Sequence, residues 1–233
     1  AMTDAAFWAV IPAAGAGRRM GNAIPKQYLP LAGRLVIEHT LARFIGHPKI
    51  AGIVVAVDAS DDRWRSLNIA SAKPLVTVSG GRERCHSVLN ALNYLQDMAK
   101  ADDWVLVHDA ARPCLHADDL DKLMITLADD PVGGILATPV RDTLKRADPE
   151  NRIEQTVDRT ALWHALTPQM FRLRVLHAAL QRAIDADVAV TDEAAAVERT
   201  GLRPPLVQGR GDNIKITHPQ DLALAERIFS ARI

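Results

Sequence analysis

The sequence predicts an α/β protein: a three-layer, Rossmann-like, mostly parallel sheet with helices on both faces and a protruding β-hairpin arm. Two observations predict the sheet. Short apolar runs alternate along the chain with segments whose apolar residues recur at helical spacing, and the links between them are short. Alternation of that kind lays parallel strands side by side, with crossover helices above and below. A third observation predicts the arm: at about 139–160 the pattern changes to two alternating stretches around a polar turn.

In chain order, strands are expected at 7–13, 50–58, 75–79, 104–108 and 134–139. Between them, 36–45 places Ile37, Leu41, Phe44 and Ile45 on one helical face. The segment 84–100 does the same with Val88, Leu92, Leu95 and Ala99, and 120–127 with Leu120, Leu123, Met124 and Leu127. Cys85 falls on the apolar face of its helix and reads as core, not nucleophile. The hairpin segment VRDTLKRADPENRIEQTVD (140–158) turns at ADPENR, with only Leu144 on one side and Ile153 and Val157 on the other. An isolated hairpin so thin in apolar residues is marginal in water, so it leans either on its own domain or on a second copy of the chain. Beyond it, 173–187 reads as a helix, 205–208 and 213–217 as strands, and 222–233 as a closing helix. Thr217 with Gln220 suggests a capping box for that last helix. With no repeats and no low-complexity linker, 1–233 is expected to form a single domain.

Composition narrows the function classes. The chain is 48% hydrophobic and 24% charged with zero formal net charge, which argues against a general nucleic-acid or membrane-surface binder. Basic groups must act locally. Cys85 and Cys114 are far apart and outside any metal-binding spacing, which suits a reducing compartment. No apolar run approaches a membrane span and the N-terminus lacks a signal pattern, so a cytoplasmic protein is expected, with no nucleic-acid or membrane partner.

The stretch VIPAAGAGRRMGNAIPKQYL (10–29) is the most chemical part of the chain. It fails as a dinucleotide fingerprint: the third small residue after Gly15 and Gly17 falls one place late, at Gly21, and Glu38 lies inside a helical segment. It also fails as a Walker A loop. What remains is a glycine turn whose backbone N–H groups can approach a phosphate, with Arg19 and Lys26 to neutralise it and Pro25 to restrict the chain before Lys26.

The motif PAAGAGRRM followed by PKQY resembles the signature of sugar- and alditol-phosphate nucleotidyltransferases. More narrowly, it is similar to the 2-C-methyl-D-erythritol 4-phosphate cytidylyltransferases of the non-mevalonate isoprenoid pathway. The likeness continues in order through GGRERCHSV (80–88), VHDAARP (107–113), PVRDT (139–143), TVDR (156–159), LTPQ (166–169), TDEA (191–194) and DNIKIT (212–217). The resemblance implies transfer of the cytidylyl group of CTP to methylerythritol phosphate with release of pyrophosphate. It implies Arg19, Lys26 and Lys215 as catalytic cations, and Ala13, Ala14, Gly15 and Gly17 near the nucleotide. It places Gly80, Gly81, Arg82 and Ser87 in the cytosine and ribose turn, and Asp109 and Ala110 at a strand end beside the phosphates. Relatives often carry an acidic residue near 82 or 86, where this chain has Arg82 and His86; backbone contacts to the ribose survive that change and side-chain contacts do not.

By the same resemblance Asp109 helps position Mg2+, itself held mostly by CTP phosphates; the plainer alternative is a carboxylate paired to Arg112. Arg112, Thr143, Asp158, Arg159, Thr167 and Thr191 would read the polyol phosphate together with Lys215. Thr143 and Arg159 lie within or beside the hairpin, which in the family embraces a partner subunit, so a homodimer with shared sites is implied. The attacking phosphate is largely dianionic at neutral pH and needs no general base. Catalysis is then charge neutralisation and in-line alignment. Three other readings are a cytidylyltransferase for another polyol phosphate such as ribitol 5-phosphate, an NAD-dependent oxidoreductase, and a non-catalytic CTP-binding regulator. The missing third glycine and ribose carboxylate weigh against the second, and intact cations in three motifs against the third.

Overall fold

The computed structural model describes residues 5–15 and 24–231. The elements run β1 (Phe7–Pro12), a 3-10 turn (Lys26–Tyr28), β2 (Pro30–Leu31), β3 (Arg34–Leu35), α1 (Val36–Ile45), β4 (Ile50–Val57), α2 (Asp62–Ser66) and β5 (Leu75–Ser79). They continue through α3 (Arg84–Met98), β6 (Trp104–Val107), α4 (Ala117–Thr126), β7 (Gly133–Pro139), β8 (Leu144–Ala147) and β9 (Ile153–Val157). The chain closes with β10 (Trp163–Arg172), α5 (Leu173–Asp185), α6 (Glu193–Glu198), β11 (Leu206–Gln208) and α7 (Pro219–Ser230).

Seven strands form one sheet in the order β11-β7-β10-β6-β1-β4-β5. It is mostly parallel, with β10 alone antiparallel to both its neighbours. The period-two alternation of buried strands is visible in the core. Ala9 and Ile11 of β1, with Trp104 and Leu106 of β6, face one cluster together with Ile37, Leu41 and Phe44 of α1 and Leu120 and Leu123 of α4. Val10, Val105 and Val107 face the opposite cluster, filled by Leu92 and Leu95 of α3 and Leu176 and Leu180 of α5. Both faces are thus covered, which is why the strands read as continuous apolar runs. A third, smaller cluster joins Leu29 and Leu31 to Ile216 and Ala225. Cys85 sits within the α3 core as expected.

Three sequence expectations need correction. The segment 213–217 is not a strand among the described elements: it is held instead by a side-chain bond from Asn213 Nδ2 to the Thr167 carbonyl (2.8 Å) and a backbone bond from the Ile216 N–H to the Ala111 carbonyl (2.9 Å). The last helix is not capped by Thr217 and Gln220. Asp221 instead accepts from the N–H groups of Thr217 (2.9 Å) and His218 (2.8 Å), and Pro219 opens the helix, where a missing N–H costs nothing. Finally, β10 had no counterpart in the sequence reading. Pro168 interrupts its pattern, and its pairing with β7 is irregular between Ala165 and Gln169.

The hairpin is present as β8 paired antiparallel with β9, forming a sheet of its own apart from the main one. Among the described residues, no helix is long and apolar enough to cross a membrane.

Candidate active site

From β1 the chain passes outward to β4 and β5, whereas β6 lies on the other side of β1. That reversal of strand order is a topological switch point, and the crevice beyond the carboxyl ends of β1 and β6 is where an open α/β sheet takes its ligand. A cleft of about 330 Å³ opens there. Its walls come from Pro12 at the end of β1 and Ala14 and Gly15 after it, from Gly81 to Arg84 and Ser87 before and along α3, and from Asp109 to Ala111 after β6. Lys26, Lys215 and Thr217 close it.

The floor is a charge cluster centred on Asp109. Arg84 Nε lies 3.0 Å from its Oδ1, Lys215 Nζ 2.8 Å from its Oδ2, and Arg112 Nε 3.5 Å from the same oxygen. Burial opposes ionisation of this carboxyl, but the positive charges of Arg84, Lys215 and Arg112 overcome it and hold the group far below the usual carboxylate range. Arg84 also grips the fully buried Glu193 with both terminal nitrogens, at 2.6 and 3.1 Å. Such a bidentate pair fixes the guanidinium in plane and position. Arg112 Nη1 donates to the Asn213 carbonyl at 2.6 Å, tying the strand-end loop to the segment that carries Lys215.

Beneath the cluster lies a run of satisfied polar groups. The Asp109 N–H donates to Thr167 Oγ1 (3.2 Å), which shares a hydrogen bond of 2.9 Å with His108 Nδ1, while His108 Nε2 bonds the Arg112 carbonyl at 2.9 Å. Burial pushes the His108 imidazole down to about 4, so it is neutral near pH 7. It is a structural histidine, with both ring nitrogens committed within the protein. Gln169 in turn accepts from the Ala194 N–H (2.9 Å) and donates to Asp192 (2.8 Å), which seats α6 and with it Glu193.

The two backbone turns are held from behind. Gln27 Nε2 donates to the carbonyls of Ala13 (3.0 Å) and Gly15 (3.2 Å), drawing the turn after β1 against the 3-10 turn that begins at Lys26. Gly80 packs against that turn so closely that a Cβ would run into the Cβ of Ala14. Ser87 Oγ accepts from the Gly81 N–H at 3.0 Å and donates to the Glu83 carbonyl, closing the start of α3.

Of the residues singled out from sequence, Ala14, Gly15, Lys26, Gly81, Arg82, Ser87, Asp109, Ala110 and Lys215 line the cleft. Ala13 and Gly80 stand directly behind it. Arg112 joins the charge cluster, and Thr167 lies under Asp109 with its hydroxyl committed within the protein. Thr143, Asp158, Arg159 and Thr191 are exposed and are not among the lining residues. Arg19 and Gly17 lie outside the described residues. Of the two competing readings of Asp109, pairing with Arg112 holds only in part, because Lys215 and Arg84 are closer. Arg84 and Glu193 were not singled out. Both stood in quoted motifs, GGRERCHSV and TDEA, but the pair spans 109 positions and no local pattern announces it.

Chemically, the cleft is built for an anion. Lys26, Arg84, Arg112 and Lys215 converge on it against Asp109 and Glu193. Both oxygens of Asp109 are engaged by cations and Glu193 is saturated by Arg84, so this donor set does not fit a divalent ion held by the protein alone. It suits an ion that arrives bound to a polyphosphate.

The family model "IspD: 2-C-methyl-D-erythritol 4-phosphate cytidylyltransferase" matches residues 7–231. The chain is 56% identical over 228 residues to the 2-C-methyl-D-erythritol 4-phosphate cytidylyltransferase of Pseudomonas putida (strain GB-1), covering 97% of each chain. It is likewise 56% identical over 225 residues to the Pseudomonas aeruginosa (strain PAO1) protein of that name, covering 96% of each. The crystal structure of the Francisella tularensis protein of that name superposes with a TM-score of 0.84 at 37% identity, over 96% of this chain and 100% of that one. A strand-end carboxylate ringed by cations, two glycine turns at a switch point, and these likenesses over nearly the whole length agree: the chain belongs to the 2-C-methyl-D-erythritol 4-phosphate cytidylyltransferase family.

Proposed function

We propose that the chain transfers the cytidylyl group of CTP to 2-C-methyl-D-erythritol 4-phosphate, giving CDP-methylerythritol and pyrophosphate in non-mevalonate isoprenoid biosynthesis. The observation that carries this reading is the convergence of Lys26, Arg84, Arg112 and Lys215 on one cleft at the switch point of the sheet. The reaction joins an anion to a polyanion, and a cationic floor is what it requires.

A phosphate oxygen of the acceptor attacks the α-phosphorus of CTP, and the bond to the bridging α–β oxygen breaks as pyrophosphate leaves on the opposite side. No proton moves at the attacking oxygen, since a phosphomonoester is largely dianionic near neutrality. Lys26 and Arg19, the latter assigned from its motif, hold the β- and γ-phosphates and neutralise the leaving group. Lys215, fixed by Asp109 at the cleft wall, faces the α-phosphate and the incoming anion. The turns at 13–15 and 80–82, with Ser87, enclose the nucleotide through backbone contacts, a role the glycines permit, and Gly17 is assigned to the same turn from its motif alone. A Mg2+ ion would arrive bound to the phosphates of CTP and so as part of the substrate, and Asp109 is the residue assigned to help position it.

Arg112, Thr143, Asp158, Arg159, Thr167 and Thr191 are assigned to the acceptor half. Thr143, Asp158 and Arg159 sit on or beside the hairpin arm, so the working form is a homodimer in which each arm completes the partner's site. Both cysteines are buried and free, which suits a cytoplasmic protein. Pyrophosphate release from CTP with a small panel of alditol phosphates tests the assignment. Methylerythritol phosphate should be the strongly preferred acceptor. A preference for ribitol 5-phosphate would redirect the acceptor half, and CTP binding without turnover on any acceptor would overturn the catalytic reading.

A further inference from the structure

Three side chains of different ligating chemistry meet at the start of α3, on the rim of the cleft and outside the charge cluster. Glu83 is the N-cap residue of that helix, with Cys85 and His86 in its first turn. The Cys85 sulfur lies 3.6 Å from His86 Nδ1 and 4.0 Å from a Glu83 carboxylate oxygen, and the three ligand atoms all fall within 4.8 Å of one another. The sulfur–nitrogen separation suits a shared ion, and the exposed Glu83 carboxylate has to move closer to join it. Sulfur at about 2.3 Å and nitrogen at about 2.0–2.1 Å from a tetrahedral metal stand about 3.6 Å apart. Among the described residues no other trio of histidine, cysteine and carboxylate side chains comes together in this way.

The donor set selects the metal. A thiolate, an imidazole and a carboxylate favour zinc-class ions over Mg2+ or Ca2+, which take oxygen ligands. Arg84, the only residue between the ligands, has its charge committed to Asp109 and Glu193 and turned away into the cluster. Glu83 is only loosely held, at 4.0 Å from Arg82. We propose that Glu83, Cys85 and His86 form a three-ligand site for a zinc-class divalent ion on the rim of the nucleotide cleft. On binding, the Cys85 thiol gives its proton to solvent and its sulfur bonds the ion; His86 supplies the Nδ1 lone pair and keeps its proton on Nε2. Burial pushes the free thiol up, so the thiolate forms with the metal and not before it. The fourth position stays open to water, as in zinc sites that are not purely structural. Gly81 packs directly on His86, so that a Cβ there would run into the His86 Cβ; an ion on this trio therefore stiffens the turn that lines the cleft.

Co2+ alone, titrated into the untagged full-length protein without nucleotide, is the probe. One equivalent should give the near-ultraviolet thiolate-to-cobalt charge-transfer band with the visible bands of a four-coordinate site, and added Zn2+ should remove both. Cys85→Ser should lose the charge-transfer band, Cys114→Ser should keep it, and His86→Ala should weaken Co2+ binding by at least about tenfold. Because His86 is only half-buried, its variant decides the question if Cys85→Ser does not fold. The absence of a thiolate band in the unmodified protein, its survival in Cys85→Ser, or unchanged Co2+ affinity in His86→Ala would each overturn the site.

Discussion

Asp109 brings three cations to one buried carboxylate, and the two ionisable groups at this strand end both weaken the fold on acidification, in different pH windows. Its folded-state pKa is depressed, so its stabilisation is complete above the ordinary aspartate value of about 3.9 and is lost progressively as pH falls from there towards a much lower folded-state value. Asp109 therefore weakens the fold only in strong acid. His108 acts at milder pH. Buried and pushed down to about 4, it stays neutral in the folded chain while the unfolded chain takes up a proton below about 6.5. Stability should fall by about 3 kcal/mol between pH 6.5 and 4 on this account, and then level off. Urea denaturation across that window checks it: His108→Gln should show a shallower acid slope than the unmodified protein, and an identical slope would remove His108 as the cause. On the catalytic side, Lys215→Ala should lower kcat by about 10²–10³ while CTP affinity changes less, since its charge matters most as the new bond forms. Turnover within a few-fold of the unmodified enzyme in a pyrophosphate-release assay would refute that role.

Between elements, the Arg84–Glu193 pair joins the first residue of α3 to the first residue of α6 across the cleft floor. Glu193→Ala leaves a largely buried guanidinium with one partner fewer, and breaking a buried pair from one side costs about 3–5 kcal/mol. A urea midpoint lowered by less than the equivalent of about 1 kcal/mol would mean that Asp109 alone holds Arg84. The helix at 36–45 was legible to its last residue, because Ile37, Leu41 and Phe44 repeat at helical spacing and Glu38 accepts from the Leu35 N–H (2.7 Å) at its start. That same bond explains why Glu38 is not a ribose carboxylate. By contrast, β10 was illegible: Pro168 breaks its alternation, and its place between β6 and β7 depends on pairing with strands far away in the chain. The stretch 213–217 misled in the other direction. Its apolar alternation is real, with Ile216 buried and Lys215 turned to the cleft, but among the described residues no strand pairs with it.

For the molecule as a whole, the β8–β9 hairpin forms a sheet of its own apart from the main one and buries little of itself. Ile153 is 68% exposed, and Leu162 and Trp163 at its base are more than a third exposed. A two-stranded ribbon of this kind is marginal alone, which is the physical reason to expect a partner against it. Replacing 144–157 with a short glycine–serine turn should leave the seven-stranded sheet folded, shift sedimentation from dimer to monomer at micromolar concentration, and cut turnover. An unmodified chain that sediments as a fully active monomer would exclude the shared-site dimer. By itself the sequence determined the fold class, the order of most elements, the two glycine turns and three of the cations gathered at the cleft, Lys26, Arg112 and Lys215, because periodicity and motif are local properties that no distant contact need support. Only the tertiary structure decided that Asp109 is shared by three cations, that Thr167 faces inward beneath it, that β10 runs antiparallel through the middle of the sheet, and that Arg84 and Glu193 belong to the site. Each of these depends on which distant segments the packed core brings within a few ångströms, and a linear pattern carries no distances.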